Sequence, residues 1–112
     1  MSSRKIASNL LWTPQGVIRH PLVEVAPDGR VLSVASCSDP DRIPFVEFRA
    51  GLLVPGFPED FRAAFRSLPD DRPLSESLPA LLAPGHGVLV VISGLDYGSL
   101  RLTPAARIEK IV

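Results

Sequence analysis

At 112 residues the chain has the length of one small domain. Hydrophobic residues make up 46% of it, enough for a core, which excludes disorder along the whole chain. Lys+Arg and Asp+Glu both number 12, so a net charge of +0 supplies neither the basic excess of a nucleic-acid binder nor an acidic tail.

Cys37 is the single cysteine, so no intramolecular disulfide can form. The apolar run after Met1-Ser2-Ser3-Arg4-Lys5 is too short for a signal peptide. No apolar stretch approaches the roughly 20 residues of a membrane span. These features lead to the expectation of a cytoplasmic protein with neither nucleic-acid nor membrane partners. Twelve prolines cut the chain into short pieces and favour short strands over long helices.

Residues 4–12 read as a first strand, with Ile6, Leu10, Leu11 and Trp12 as candidate core. Thr13-Pro14-Gln15-Gly16 is a turn, and residues 17–20 are a short strand broken at Pro21. Residues 22–26 and 30–35 flank Pro27-Asp28-Gly29, which reads as an antiparallel hairpin. Its apolar residues fall on both faces, so both are expected to be at least partly covered. A polar loop over 36–43 leads to a strand over 44–49, a turn at Ala50-Gly51 and a short strand over 52–54 that stops at Pro55-Gly56.

A helix is predicted near 58–68. Pro58 suits its first turn, Glu59 and Asp60 favour the positive end of its dipole, and Phe57, Phe61, Ala64, Phe65 and Leu68 form an apolar stripe. A second helix near 77–83 starts at Ser75 or Ser77 and turns Leu78, Leu81 and Leu82 inward. The continuous apolar run over 88–92 predicts a central strand buried on both faces. A strand over 99–102, a link over 103–106 and a last strand over 107–112 follow.

Two blocks carry a family resemblance. Pro27-Asp28-Gly29-Arg30-Val31-Leu32-Ser33-Val34 followed by Gly51-Leu52-Leu53-Val54-Pro55-Gly56-Phe57 resembles the N-terminal segment of metal-dependent amidohydrolases, with its "E-D-G-R-I-V-x-V-G" and "G-x-L-V-P-G-F-V-N-A-H-x-H". Pro84-Gly85-His86-Gly87-Val88-Leu89-Val90-Val91-Ile92 resembles that family's late "P-G-x-x-A-D-L-V-V-I". In the family these ends pair into a small composite β-sandwich beside a (β/α)8 barrel. The resemblance covers roughly residues 4–57 and 84–112. It implies one domain over 1–112, with N-terminal strands over 4–57, a helical link over 58–83 in place of the barrel, and C-terminal strands over 84–112.

The departures matter as much. Phe61 and Ala63 stand at the positions of the two metal-binding histidines, and neither has a lone pair for a metal. A barrel needs roughly 200 residues or more, and only 58–83 separates the matching blocks.

Other candidate sites have ordinary readings. His20 and His86 have no Cys or carboxylate at ligand spacing and read as a strand-edge and a loop residue. Gly85-His86-Gly87 lacks the pattern of a phosphate loop. Asp39 and Asp41 supply fewer oxygens than a hard cation needs. Glu59 and Asp60 suit a helix start as well as an acid/base pair. Cys37 has no adjacent His or helix start to activate it. Ser33, Ser36 and Ser38 have no G-x-S-x-G setting.

The expected fold is therefore α+β and mainly β: a composite sandwich or barrel-like sheet of about seven strands with one or two short helices in mid-chain. The expected role is a non-catalytic amidohydrolase-like remnant acting as a structural or protein-interaction domain, without cofactor, metal or catalytic residues. The alternatives are a small-molecule binding module and a degenerate hydrolase acting on C–N bonds. Two short helices can cover only part of a sheet face, so a homodimer or a larger protein partner is expected, burying residues of the 57–68 helix or of an edge strand, with Phe57, Phe61 and Phe65 as the possible interface.

Overall fold

β-branched and leucine residues crowd both sides of the longer strands, so each strand has two faces to bury. The computed structural model describes residues 4–28, 30–36, 46–82 and 87–111. It places seven strands in one sheet: β1 (Arg4–Thr13), β2 (Gly16–Arg19), β3 (Pro21–Val25), β4 (Val31–Ser36), β5 (Val46–Phe57), β6 (Val88–Asp96) and β7 (Arg101–Lys110). The order is β4-β3-β1-β5-β6-β7, with β2 also on β1. β1 and β5 run parallel and the other pairs antiparallel. The N- and C-terminal segments thus enter the same sheet, joined through β5. The expected fold class, α+β and mainly β, is the one observed.

Two apolar clusters lie on the two faces. The row Leu10–Leu52–Ile92–Ile108 crosses β1, β5, β6 and β7 within the first cluster, which Trp12, Val54, Phe57, Leu74 and Leu78 extend. The neighbouring row Leu11–Leu53–Val91 belongs to the second, together with Ile6, Val23, Val25 and Leu89. β6 is buried on both faces, as its continuous apolar run predicts: Val90 and Ile92 face one cluster, Leu89 and Val91 the other.

The alternation slips once in the middle of β1. Ile6 and Leu11 share a cluster although strict two-residue spacing would separate them. The slip falls at Asn9, opposite the junction of β2 and β3. There His20 has φ 50° and its N–H donates to the Asn9 carbonyl over 3.0 Å. The pairing of β1 with β5 shifts at the same level, between Ser8 and Leu10. The displaced Gly51 N–H donates to Asn9 Oδ1 over 2.9 Å. Further irregularities at 54–57 on β5 and 93–95 on β6 bend the sheet again.

Between β5 and β6 lie α1 (Phe61–Arg66) and α2 (Leu74–Ser77), the latter running into a 3-10 turn (Leu78–Ala80). Leu74 and Leu78 are fully buried in the first cluster. The Leu74 N–H donates to the Leu100 carbonyl over 2.8 Å, which ties α2 to the turn between β6 and β7.

Several local expectations are corrected. The strands expected over 44–49 and 52–54 are one strand, β5, because a bulge lets the chain bend at Gly51 without leaving the sheet. β5 also continues through Pro55-Gly56, where a second bulge and a left-handed Gly56 absorb the turn. Residues 103–106 belong to β7, since an edge strand tolerates Pro104. The first helix begins only after Asp60, so Pro58, Glu59 and Asp60 precede it. The second begins after Pro73, whose extended ψ of 147° starts α2 without a serine cap. Leu78 is inward as expected, Leu81 and Leu82 are half-buried, and Leu74 is the additional anchor.

Candidate interaction surface

The two ends of the main strand order differ in chemistry. β7 carries Pro104 and the exposed charges of Arg101, Arg107, Glu109 and Lys110, devices that discourage pairing with another strand. β4 has none of them. It reads Val31-Leu32-Ser33-Val34-Ala35-Ser36, without charge or proline, and among the described residues it pairs only with β3. Leu32 is 53% exposed and Val34 41% exposed. The hairpin, expected to be at least partly covered on both faces, is covered more thinly at β4 than at β3: Val31 is half-buried against the second cluster, and residues 32–35 are exposed. Val34 stands opposite fully buried Val23, but as an edge residue it has a neighbour on one side only.

The sheet face beside this edge is also open. The row Phe48–Ala7–Leu22–Ala35 crosses β5, β1, β3 and β4. Ala7 is buried, Leu22 is half-buried, Ala35 is exposed and Phe48 is 52% exposed. Ala7 points away from Ile6, so this row lies opposite the second cluster. The helices do not reach it: α1 packs beside β7, at the other end of the sheet.

The three phenylalanines singled out from the sequence fall elsewhere. Phe57 is fully buried in the first cluster, out of reach of any partner. Phe61 and Phe65 are half-buried against that cluster, and Arg62 lies over the Phe61 ring at 5.1 Å from its centroid. The stripe is thus mainly the means by which the link is fastened to the sheet.

On the opposite face a chain of ion pairs joins three strands. Arg4 Nε and Nη2 donate to Glu47, the shortest contact being 2.7 Å, and Arg4 Nη1 donates to the Ile111 carbonyl over 3.0 Å. Arg49 Nε donates to Glu47 Oε2 over 3.1 Å and Nη1 to Glu109 Oε2 over 3.4 Å. The Arg4 hydrogen bonds, aided by those of Arg49, hold the Glu47 carboxyl below its ordinary pKa. Folding therefore favours the ionised form. Its stabilisation is complete above the ordinary glutamate pKa and lost as pH falls through the lowered value. Glu47→Gln should lower stability at neutral pH by about 1 kcal/mol or less, because these side chains are about two-fifths exposed. Urea unfolding at several pH values checks this: the difference from wild type should shrink below about pH 4.

The other chemical candidates are not brought together. His20 is exposed on the strand junction, and Glu59 and Asp60 are exposed before α1. Ser33 Oγ donates to Glu24 Oε1 over 3.5 Å. Cys37, Ser38, Asp39, Asp41 and His86 lie outside the described residues, as does the side chain of Ser36. Among the described residues no group of three His, Cys, Asp or Glu side chains could hold a metal ion, and no helix is long and apolar enough to cross a membrane. A shallow, open depression of about 310 Å³ lies in the helical link between Leu68, Arg72, Glu76 and Leu81. It also borders Ser77, whose buried Oγ has no hydrogen-bond partner.

The sequence allows an edge strand as an interface but does not say that β4 is the bare edge, and it does not single out Phe48. A run of six neutral residues after the Asp-Gly turn is the signal that could have marked the edge. Comparison of the chain with protein-family models, curated proteins and solved structures finds no match.

Proposed function

We propose that this chain is a non-catalytic protein-interaction domain that associates with a second copy of itself. The observation that carries this reading is the placement of Leu32 and Val34, two large apolar side chains 53% and 41% exposed on β4 at the uncharged end of the sheet. Apolar surface gathered in one region, rather than scattered singly, marks a contact site. A net charge of +0 puts little long-range repulsion between two copies, and twofold dimers are the commonest closed assembly.

The same reading relates the domain to the accessory sandwich of the amidohydrolases. In it, the link over 58–83 stands where the catalytic barrel would be. Two features support the relation: the motif residues Asp28 to Val34 and Gly51 to Phe57, and the sharing of one sheet by the two ends of the chain. A short link leaves part of the face bare where a barrel would have covered it.

The test is the mass in solution across a concentration series, by light scattering and sedimentation. A dimer in the micromolar range is expected. A monomer at high micromolar concentration would end the proposal.

A further inference from the structure

We infer that residues 58–82 form a strap that opens as a unit while the seven-stranded sheet beneath it stays folded. The inference does not depend on the self-association proposed above.

The strap is slight in itself. α1 has six residues and none of them is buried, α2 has four, and the 3-10 turn after it has three. All are far below the roughly 12–15 residues at which a helix becomes even marginal in water, so they hold their shape only by lying on the sheet. Two fully buried side chains, Leu74 and Leu78, anchor them, with Phe61, Phe65 and Leu68 half-buried against the same cluster. Among the described residues a single hydrogen bond joins the strap to the rest of the chain, from the Leu74 N–H to the Leu100 carbonyl over 2.8 Å, and no ion pair does.

The way the strap is hung lets it open without disturbing the strands. The chain leaves the sheet after Phe57 and re-enters it at Val88, and these two residues pair with each other. Left-handed glycines stand beside both points, Gly56 with φ 74° and Gly87 with φ 83°. The β5–β6 ladder therefore pins both ends, whether the strap is docked or not. The core is divided along the same line. Strap residues pack into the first cluster, and the second holds none of them: Ile6, Leu11, Leu53 and Val91 are buried there with no part of 58–82 among their partners. The second cluster and the ladders remain when the strap leaves. Opening uncovers the row Leu10–Leu52–Ile92, a continuous apolar face that is closed while the strap is docked.

Segments with few buried contacts open ahead of global unfolding. Hydrogen exchange of the wild-type chain in rising, sub-denaturing urea tests whether 58–82 is one. Peptides covering 61–68 and 74–82 should exchange together, at least about a hundredfold faster than those covering 50–54 and 88–92. Their rates should also depend less steeply on urea, because opening the strap exposes less surface than unfolding the sheet. One common rate and urea dependence for strap and strands would overturn the inference, and so would separate rates for the two parts of the strap.

Leu74→Asp with Leu78→Asp puts the same question to the resting state, since two charges at these buried positions hold the strap undocked. The variant should keep the circular dichroism of its strands and a cooperative urea transition. It should also raise the fluorescence of anilinonaphthalene sulfonate, a probe of exposed apolar surface, several-fold. Loss of the cooperative transition would show that the sheet cannot stand without the strap. An unchanged dye signal would show that no apolar face is uncovered. Either result ends the inference.

Discussion

Phe57→Ala should be the most damaging truncation in this protein, costing about 3–5 kcal/mol. Phe57 is fully buried at the end of β5, in the cluster that holds Leu52, Val54, Leu74 and Leu78. It therefore meets both the sheet and the helical link, and removing its ring opens a cavity at their junction. The neighbours cannot collapse freely to fill it. Phe57 opposes Val88 across a bulge, and the backbone of Gly87 packs close to its carbonyl. A domain of this size has roughly 5–15 kcal/mol of stability in all, so much of it would be lost. The measurement is the midpoint of urea unfolding, followed by circular dichroism. Phe65→Ala is the comparison, since Phe65 is only half-buried on the same link, and its cost should be clearly smaller. Equal costs for the two would show that the link is fastened to the sheet differently from the arrangement described.

Gly51→Ala should cost about 3 kcal/mol or more, from two sources that can be separated. Gly51 has φ +130°, a conformation that disfavours any side chain. A Cβ there would also run into the Ile92 carbonyl, a backbone group held in the pairing of β5 with β6. Neither strand can retreat easily, because Leu52 and Ile92 are fully buried side by side. Gly16 supplies the control. Its φ is +137°, nearly the same, yet nothing lies within 4 Å of the Cβ it would gain. Gly16→Ala should therefore show the conformational cost alone, about 1–3 kcal/mol, and Gly51→Ala that cost plus the clash. Thermal and urea unfolding of both variants give the comparison. Matching losses would mean that β5 and β6 part readily at this level.

The amino-acid sequence alone determined the local elements and the class of the fold. The neutral apolar runs and the Asp-Gly turn can form little but strands and a hairpin, and the continuous run at 88–92 has no polar face to expose, so it is central. The bulges were not legible. Whether Gly51 ends a strand or bends one depends on a carbonyl at Ile92 and an amide at Asn9, both distant in sequence. Phe57 and Phe65 look alike as members of one stripe, and only packing distinguishes a fully buried ring from a half-buried one.

The candidate surface was decided almost wholly by tertiary structure. Leu32 and Val34 have the apolar character of core residues, and strand order leaves them exposed, because β4 stands at the end of the sheet among the described residues. Phe48 is exposed for a related reason: the link that covers the face packs beside β7 and stops short of the β4 end. A side chain's hydrophobicity is local, but what covers it is set by which strand lies next and where the helices come to rest.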